Sequence, residues 1–208
     1  AALREGLEAC AFDIVARADA DDISLPQRFE KQVPLVADAT YDVVGAAMNE
    51  FVTDPTHVES VRVPPKNSRA ISATFTWRNP MLHPTVVLRK SAVQAVGSYT
   101  EVPGAEDYWL WARMNRAGFI FGNLEEPLVA YRISEAYTRR GGVPAFVKDY
   151  EIQRRLYAGG VLTKTQWVRN MAVRSVYRFV PEETRKKTFR ALTQIRKNGT
   201  SLRGGKSA

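Results

Sequence analysis

Apolar residues along the first two thirds of the chain fall in short blocks that alternate between two periods. Leu3, Leu7 and Cys10-Ala11 recur at helical spacing, so LREGLEAC reads as the last turns of an amphipathic helix. Phe12–Ala18 (FDIVARA) is apolar and β-branched and predicts a short buried strand. Ser24-Leu25-Pro26 marks a helix entry, with Phe29, Val33, Leu35 and Val36 on its apolar side. Tyr41–Ala47 predicts a second buried strand and Thr85–Leu88 a third. Between them, residues 50–80 are irregular and proline-rich, the mark of a hairpin or a mobile loop. Ser91 is placed to cap a short helix ending at Gly97, and Glu106–Ala117 predicts a helix closed by Gly118. Phe119–Leu124 and Leu128–Arg132 read as two short strands. From Pro144 the period stays helical, with breaks near Gly159-Gly160 and at Pro181, and Asn198–Ala208 has a disorder-type composition. Strands alternating with helices predict an α/β layered domain followed by a helical tail.

Composition narrows this picture. The chain of 208 residues suits one domain, or one with an appendage. A single cysteine, Cys10, excludes an internal disulfide framework and fits a reducing, cytoplasmic compartment. No run of 18 apolar residues exists to span a bilayer, and no cleavable signal is visible. The chain opens on Ala1 in mid-pattern, so it reads as a fragment. Charge is unevenly spread. Residues 1–138 hold 13 Lys/Arg and 18 Asp/Glu, a net of −5, whereas residues 139–208 hold 17 and 4, a net of +13. The expected division is a domain at 1–138 and a basic amphipathic tail at 139–208.

The tail contains Trp167, Val168, Met171, Ala172, Val176, Phe179 and Val180 at helical spacing, with Arg169, Arg174 and Arg178 alongside. After Pro181 come Phe189, Leu192 and Ile195 amid Arg185, Lys186, Lys187, Arg190 and Arg196. Two readings stand level. The tail can lie on an anionic membrane, peripheral at its inner face, or its apolar stripe can pack on the domain. Nucleic acid is not an expected partner, because no reading motif accompanies the charge.

Candidate chemistry begins at Asp19-Ala20-Asp21-Asp22, directly after the first strand. Carboxylates about 5 Å apart repel by roughly 3 kcal/mol at an effective dielectric near 20, and a divalent cation reverses the sign. Mg²⁺ is commonly held by one or two carboxylates with substrate phosphates completing its shell. A calcium loop fails, because its third ligand position falls on Ile23 and its obligatory glycine on Ser24. The residues alone leave two readings, a cation site and a helix cap supplied by Asp22 or Ser24.

The wider segment ARADADDISLPQRFEKQV resembles the DxD region of family 2 glycosyltransferases, carried by Arg17, Asp19, Ala20, Asp21, Asp22, Pro26, Arg28 and Gln32. LREGLEAC resembles the helix leading into it. A second block, HPTVVLRKSAVQAVGSY followed after a variable loop by EDYWLWARM, resembles the family's acceptor side. The resemblance implies an α/β fold, the rear part of a GT-A (nucleotide-diphospho-sugar transferase, Rossmann-like) domain. It also implies a nucleotide-sugar donor, Mg²⁺ or Mn²⁺, and a glycan or lipid-linked acceptor of the kind used in cell-envelope polysaccharide synthesis.

By the same resemblance Asp19 and Asp21 meet donor ribose and diphosphate through the metal, with Asp21 the favoured ligand and Arg17 nearby. Asp107 is the implied catalytic base and Glu106 the second candidate; taken by themselves, the two are equally well read as carboxylates at a helix start. Tyr108, Trp109 and Trp111 form either an apolar wall or plain core. His83 is expected to be a structural hydrogen-bonding group. Arg132 matches a Tyr-Arg element near the end of the catalytic domain and is counted among the donor-binding residues, and Ser134 stands where many relatives carry a histidine. The competing function is a catalytically incomplete fragment that serves as a basic membrane-surface module.

Overall fold

The computed structural model describes residues 2–133 and 142–179. Expectations that fall on Ser134, the Pro181 break and the stretch from Arg185 to Ala208 lie outside the described residues. The order is α1 (Ala2–Ala9), β1 (Ile14–Ala16), β2 (Ile23–Ser24), α2 (Arg28–Ala37), β3 (Val43–Phe51), β4 (Ser60–Arg62) and α3 (Ser68–Thr74). It continues through a 3-10 turn at His83–Thr85 to β5 (Val87–Arg89), α4 (Lys90–Ala95), α5 (Glu106–Arg116), β6 (Phe121–Arg132), α6 (Gly142–Ala158) and α7 (Lys164–Phe179). The fold is α/β, a mixed sheet packed with helices, and α6 and α7 follow its last described strand.

The described strands form one mixed sheet in the order β1-β5-β3-β6-β2, with β4 added to β3. β3 is its spine, buried along almost its whole length as an unbroken apolar strand should be. It runs parallel to β6 and antiparallel to β5 and β4. The two short strands expected at 119–132 are one strand, β6. Its pairing with β3 slips at Ala46–Met48, and the surplus residues there accommodate Pro127 without a lost ladder bond. The segment 50–80 contains the expected hairpin, β3–β4, and also α3, which Asn67 caps by accepting from the Ala70 N–H at 3.0 Å.

Two helix starts differ from expectation. Ser24 lies in β2, because Ile23 and Ser24 pair with β6 and the Leu25 N–H continues that ladder to the Leu128 carbonyl. α2 therefore begins at Arg28, with no side chain capping it. Ser91 lies inside α4. Asp13 caps that helix from across the sheet, accepting from the Ser91 backbone N–H at 2.8 Å and hydroxyl at 3.0 Å.

The core gathers under the sheet around Trp111, Leu110, Met114, Phe121 and Phe75. α6 and α7 share it. Ile152, Leu156 and Leu162 belong to the same buried cluster, and Trp167 packs against it. α7 then presents polar side chains inward. Asn170 donates to the Thr76 carbonyl at 2.8 Å and to Gln153 at 2.9 Å, and the Arg169 guanidinium stacks 3.5 Å from the Trp77 ring centre. Arg174 and Arg178 both pair with the buried Asp149. The outward face carries Val168, Val173 and Val176, which are 52%, 54% and 67% exposed. Of the expected stripe, Trp167 faces the core whereas Val168 and Val176 face out, because Asp149 and the carbonyls of Thr76 and Trp77 draw the arginines inward. Among the described residues no helix is long and apolar enough to cross a membrane.

Candidate active site

The acidic run forms the turn from β1 to β2, at the rim of the sheet where open α/β folds place ligands. Its three carboxylates have different surroundings. Asp19 is half-buried and ion-paired with Arg17. Asp21 is exposed, and no described side chain donates to its carboxylate. Asp22 accepts from the Arg132 backbone N–H at 3.0 Å, so it ties the turn to the end of β6 instead of capping α2. Burial raises the Asp22 pKa, and the charges of Asp19 and Asp21 add to the rise.

Arg132 closes the turn from the other side. Its Nε donates to the Asp21 carbonyl at 3.3 Å and its Nη1 to the Val52 and Thr53 carbonyls, while the guanidinium stacks 4.6 Å from the Phe51 ring centre. All of these acceptors are neutral backbone carbonyls.

Beneath the turn lies a buried polar mount. Arg28, 1% exposed, donates to the Arg17 carbonyl at 2.8 Å, the Val86 carbonyl at 3.3 Å, the Ser24 hydroxyl at 2.9 Å and the Gln32 side chain at 3.1 Å. Burial lowers its pKa to about 10, still far above neutrality. Gln32, fully buried, donates onward to the Val44 carbonyl at 3.1 Å and the Thr85 carbonyl at 2.9 Å. Two side chains one helical turn apart thus join α2 and β3 to the 3-10 turn ahead of β5 and to the approach to the acidic turn.

The second carboxylate pair opens α5. The Asp107 Oδ2 accepts from Asn79 Nδ2 at 2.7 Å and its Oδ1 from the Tyr108 N–H at 2.7 Å. Burial pushes its pKa up, and the two hydrogen bonds pull against that rise. Glu106 lines a cleft of about 380 Å³ with Leu3, Tyr99, Thr100, Val102 and Pro103. Of the neighbouring aromatics, Trp111 is fully buried and Tyr108 nearly so, which makes them core; Trp109 is half-buried.

His83 stands between the two carboxylate groups. Its Nε2 is 3.0 Å from the Tyr99 hydroxyl, and its ring meets Trp111 edge-on at 5.9 Å. Burial brings its pKa down to about 4, so it is neutral at physiological pH. It feels the charges of Arg17 and Asp19 from one direction and Glu106 from the other. Tyr99 likewise feels Asp107, Arg17 and Glu106. Arg17, Asp19, Glu106 and Asp107, far apart in the chain, therefore share one locale.

A family model described as Glycosyl transferase family 2 matches residues 1–97. An uncharacterized glycosyltransferase of Haemophilus influenzae is 32% identical over 190 residues, covering 90% of this chain and 70% of its own length. The amylovoran biosynthesis glycosyltransferase AmsE of Erwinia amylovora is 34% identical, covering 86% and 68%. The chain belongs to glycosyltransferase family 2. A further family 2 relative is the UDP-Gal:alpha-D-GlcNAc-diphosphoundecaprenol beta-1,3-galactosyltransferase of Escherichia coli, 30% identical and covering 89% of this chain and 68% of its own. Among solved structures, S. aureus TarS 1-349 in complex with UDP-GlcNAc superposes with a TM-score of 0.50 at 14% identity. It covers 74% of this chain, which spans 45% of that one, and the likeness is one of fold.

In this family 2 chain, sequence reasoning reached the carboxylates but not what holds them. Arg28 and Gln32 enter it only as members of a pattern, and Asn79 only as a position in the irregular stretch 50–80. Polar side chains that are buried to staple backbone carbonyls give no periodic signal. As for a divalent cation, no group of three or more carboxylate, histidine or cysteine side chains gathers among the described residues. The exposed Asp21 carboxylate, with Asp19 two residues away, suits an ion that takes its remaining ligands from a diphosphate.

Proposed function

We propose that the chain transfers a sugar from a nucleotide-sugar donor to a hydroxyl acceptor, with inversion at the anomeric carbon. The observation carrying this reading is that one short segment, Asn79–Val86, is hydrogen-bonded at one end to Asp107 and at the other to the backbone of Arg17, which leads into the acidic turn. Donor and acceptor chemistry need that closeness, since the attacked carbon must lie within about 3–3.5 Å of the incoming oxygen. A UDP-sugar donor and a lipid-linked acceptor are supported by the similarity to the E. coli UDP-Gal:alpha-D-GlcNAc-diphosphoundecaprenol beta-1,3-galactosyltransferase.

In this reading Asp107 takes the proton from the acceptor hydroxyl. The oxygen forms its bond to the anomeric carbon from the face opposite the diphosphate, as the bond to the diphosphate oxygen breaks. Glu106, on the wall of the cleft, orients the acceptor. Arg132, whose guanidinium donates only to neutral carbonyls among the described residues, and Arg17 at the turn face the diphosphate. Asp21, with Asp19, would hold Mg²⁺ or Mn²⁺, and the bound ion would stabilise the charge developing on the leaving diphosphate.

The test is isothermal titration of UDP and of GDP with and without Mn²⁺. Cation-dependent nucleotide binding that falls at least about tenfold in Asp21→Ala is expected. Equal behaviour of wild type and Asp21→Ala in Mn²⁺ would sink the donor-site assignment.

A second reading concerns the tail alone. The outward valines of α7 and the net charge of +13 over residues 139–208 favour contact with an anionic membrane surface. Sedimentation with phosphatidylglycerol vesicles should show binding that weakens at high salt and is lost on deleting residues 163–208.

A further inference from the structure

The segment Asn79–Val86 touches both carboxylate groups. At its far end the Val86 carbonyl accepts from the Arg17 N–H at 2.9 Å and from Arg28 at 3.3 Å. At its near end Asn79 donates to Asp107. Between them, Thr85 fastens the segment to the sheet, its hydroxyl accepting from the Ala46 N–H at 3.0 Å and donating to the Leu82 carbonyl at 2.8 Å. Asn79 cannot be turned over without loss. Its Oδ1 accepts from the Met81 N–H at 3.1 Å, and a flipped amide would set two donors against each other there and two acceptors against each other at Asp107.

We propose that Asn79 is a positioning residue for Asp107, fixing the carboxylate's orientation through a single donated hydrogen bond. This rests on Asp107 acting as the base. Burial alone would favour the neutral acid, which takes no proton. The Asn79 amide and the Tyr108 N–H counter it with neutral donors and leave no competing cation bound to the carboxylate. Other groups facing the site are Glu106 and Tyr108 on the same helix, Tyr99 from the α4–α5 loop, and Arg174 of α7, whose charge reaches Tyr108. They remain in place when Asn79 alone is changed.

The sign of one titration separates this role from a merely structural one. With aspartate carboxyls labelled by ¹³C and Asp107 assigned through Asp107→Asn, the Asp107 midpoint is followed by NMR in wild type, Asn79→Ala and Asn79→Asp. Loss of the donor should raise the midpoint by about one unit in Asn79→Ala, and further in the isosteric Asn79→Asp, where a like charge replaces the donor. If Asn79 only supports the fold, its loss admits water and the midpoint falls toward the ordinary aspartate value. A fall or no change in both variants overturns the proposal, and Asn79→Asp preserves the test should Asn79→Ala fold poorly. The acid limb of kcat/KM for a competent donor and acceptor should move up with the midpoint. If the midpoint rises while that limb follows some other group, Asn79 still sets the proton affinity of Asp107, but the base assignment and the positioning role built on it fall together.

Discussion

The turn at Asp19–Asp22 and the helix start at Glu106-Asp107 each concentrate carboxylates, yet their environments are opposite. The turn lies at the rim, with Arg17, Arg28 and Arg132 around it and Asp21 left exposed. At the helix start Asp107 is enclosed and pinned by two neutral donors. Nearby cations favour the charged form of a carboxylate, whereas burial favours its neutral form, and neutral donors fix its direction while pulling against that rise. One residue type thus serves ion binding in one place and proton transfer in the other.

That contrast can be broken most sharply at the carboxylates themselves. Asp107→Asn should lower kcat by about 10²–10⁴ while leaving Mn²⁺-dependent UDP affinity unchanged. If nucleotide binding falls in parallel, the two regions do not divide the work as described. The next effect concerns the mount. Gln32→Ala strands the Val44 and Thr85 carbonyls in the core and should cost roughly 3 kcal/mol in chemical denaturation. Its kinetic penalty should appear first in donor affinity. A larger shift in the Asp107 titration than in nucleotide binding would place the mount on the wrong side.

The smallest effect lies at the residue between the regions. Burial holds the His83 pKa at about 4, below the ordinary histidine value of 6.5, so the unfolded chain binds the extra proton first. The neutral ring's contribution is complete above about pH 6.5 and is lost as pH falls toward 4. Comparison of His83→Gln with wild type across that window should show roughly 2 kcal/mol less acid destabilisation in the variant. Parallel stability–pH curves would count against a buried neutral His83.

Much of the fold is legible where one period dominates. Tyr41–Ala47 announces the buried spine, and the end of α5 at Gly118 follows from a glycine adopting φ of +89°. Legibility fails where a distant partner decides. Ser24 looks like a cap until β6 captures it as a strand, and Ser91 looks like a cap although Asp13 does the capping. α3 is masked by the surrounding prolines even though Asn67 is a readable start signal. At the site the carboxylates are visible because three in four residues require an explanation. Asn79 is not, since its partner is 28 positions away and an isolated asparagine reads as a turn residue.

The slip between β3 and β6 has a consequence for length variation. Nine residues of β3 match twelve of β6, so the surplus around Glu125-Glu126 sets the phase in which Arg132 reaches the acidic turn. Side chains alternate along a strand, so deleting one residue there would turn Arg132 toward the opposite face and withdraw the N–H that Asp22 accepts. Insertions and deletions are usually harmless at a solvent-facing kink. Here the kink works as a spacer of fixed count, and a single-residue change in it should be as damaging as replacing the arginine outright.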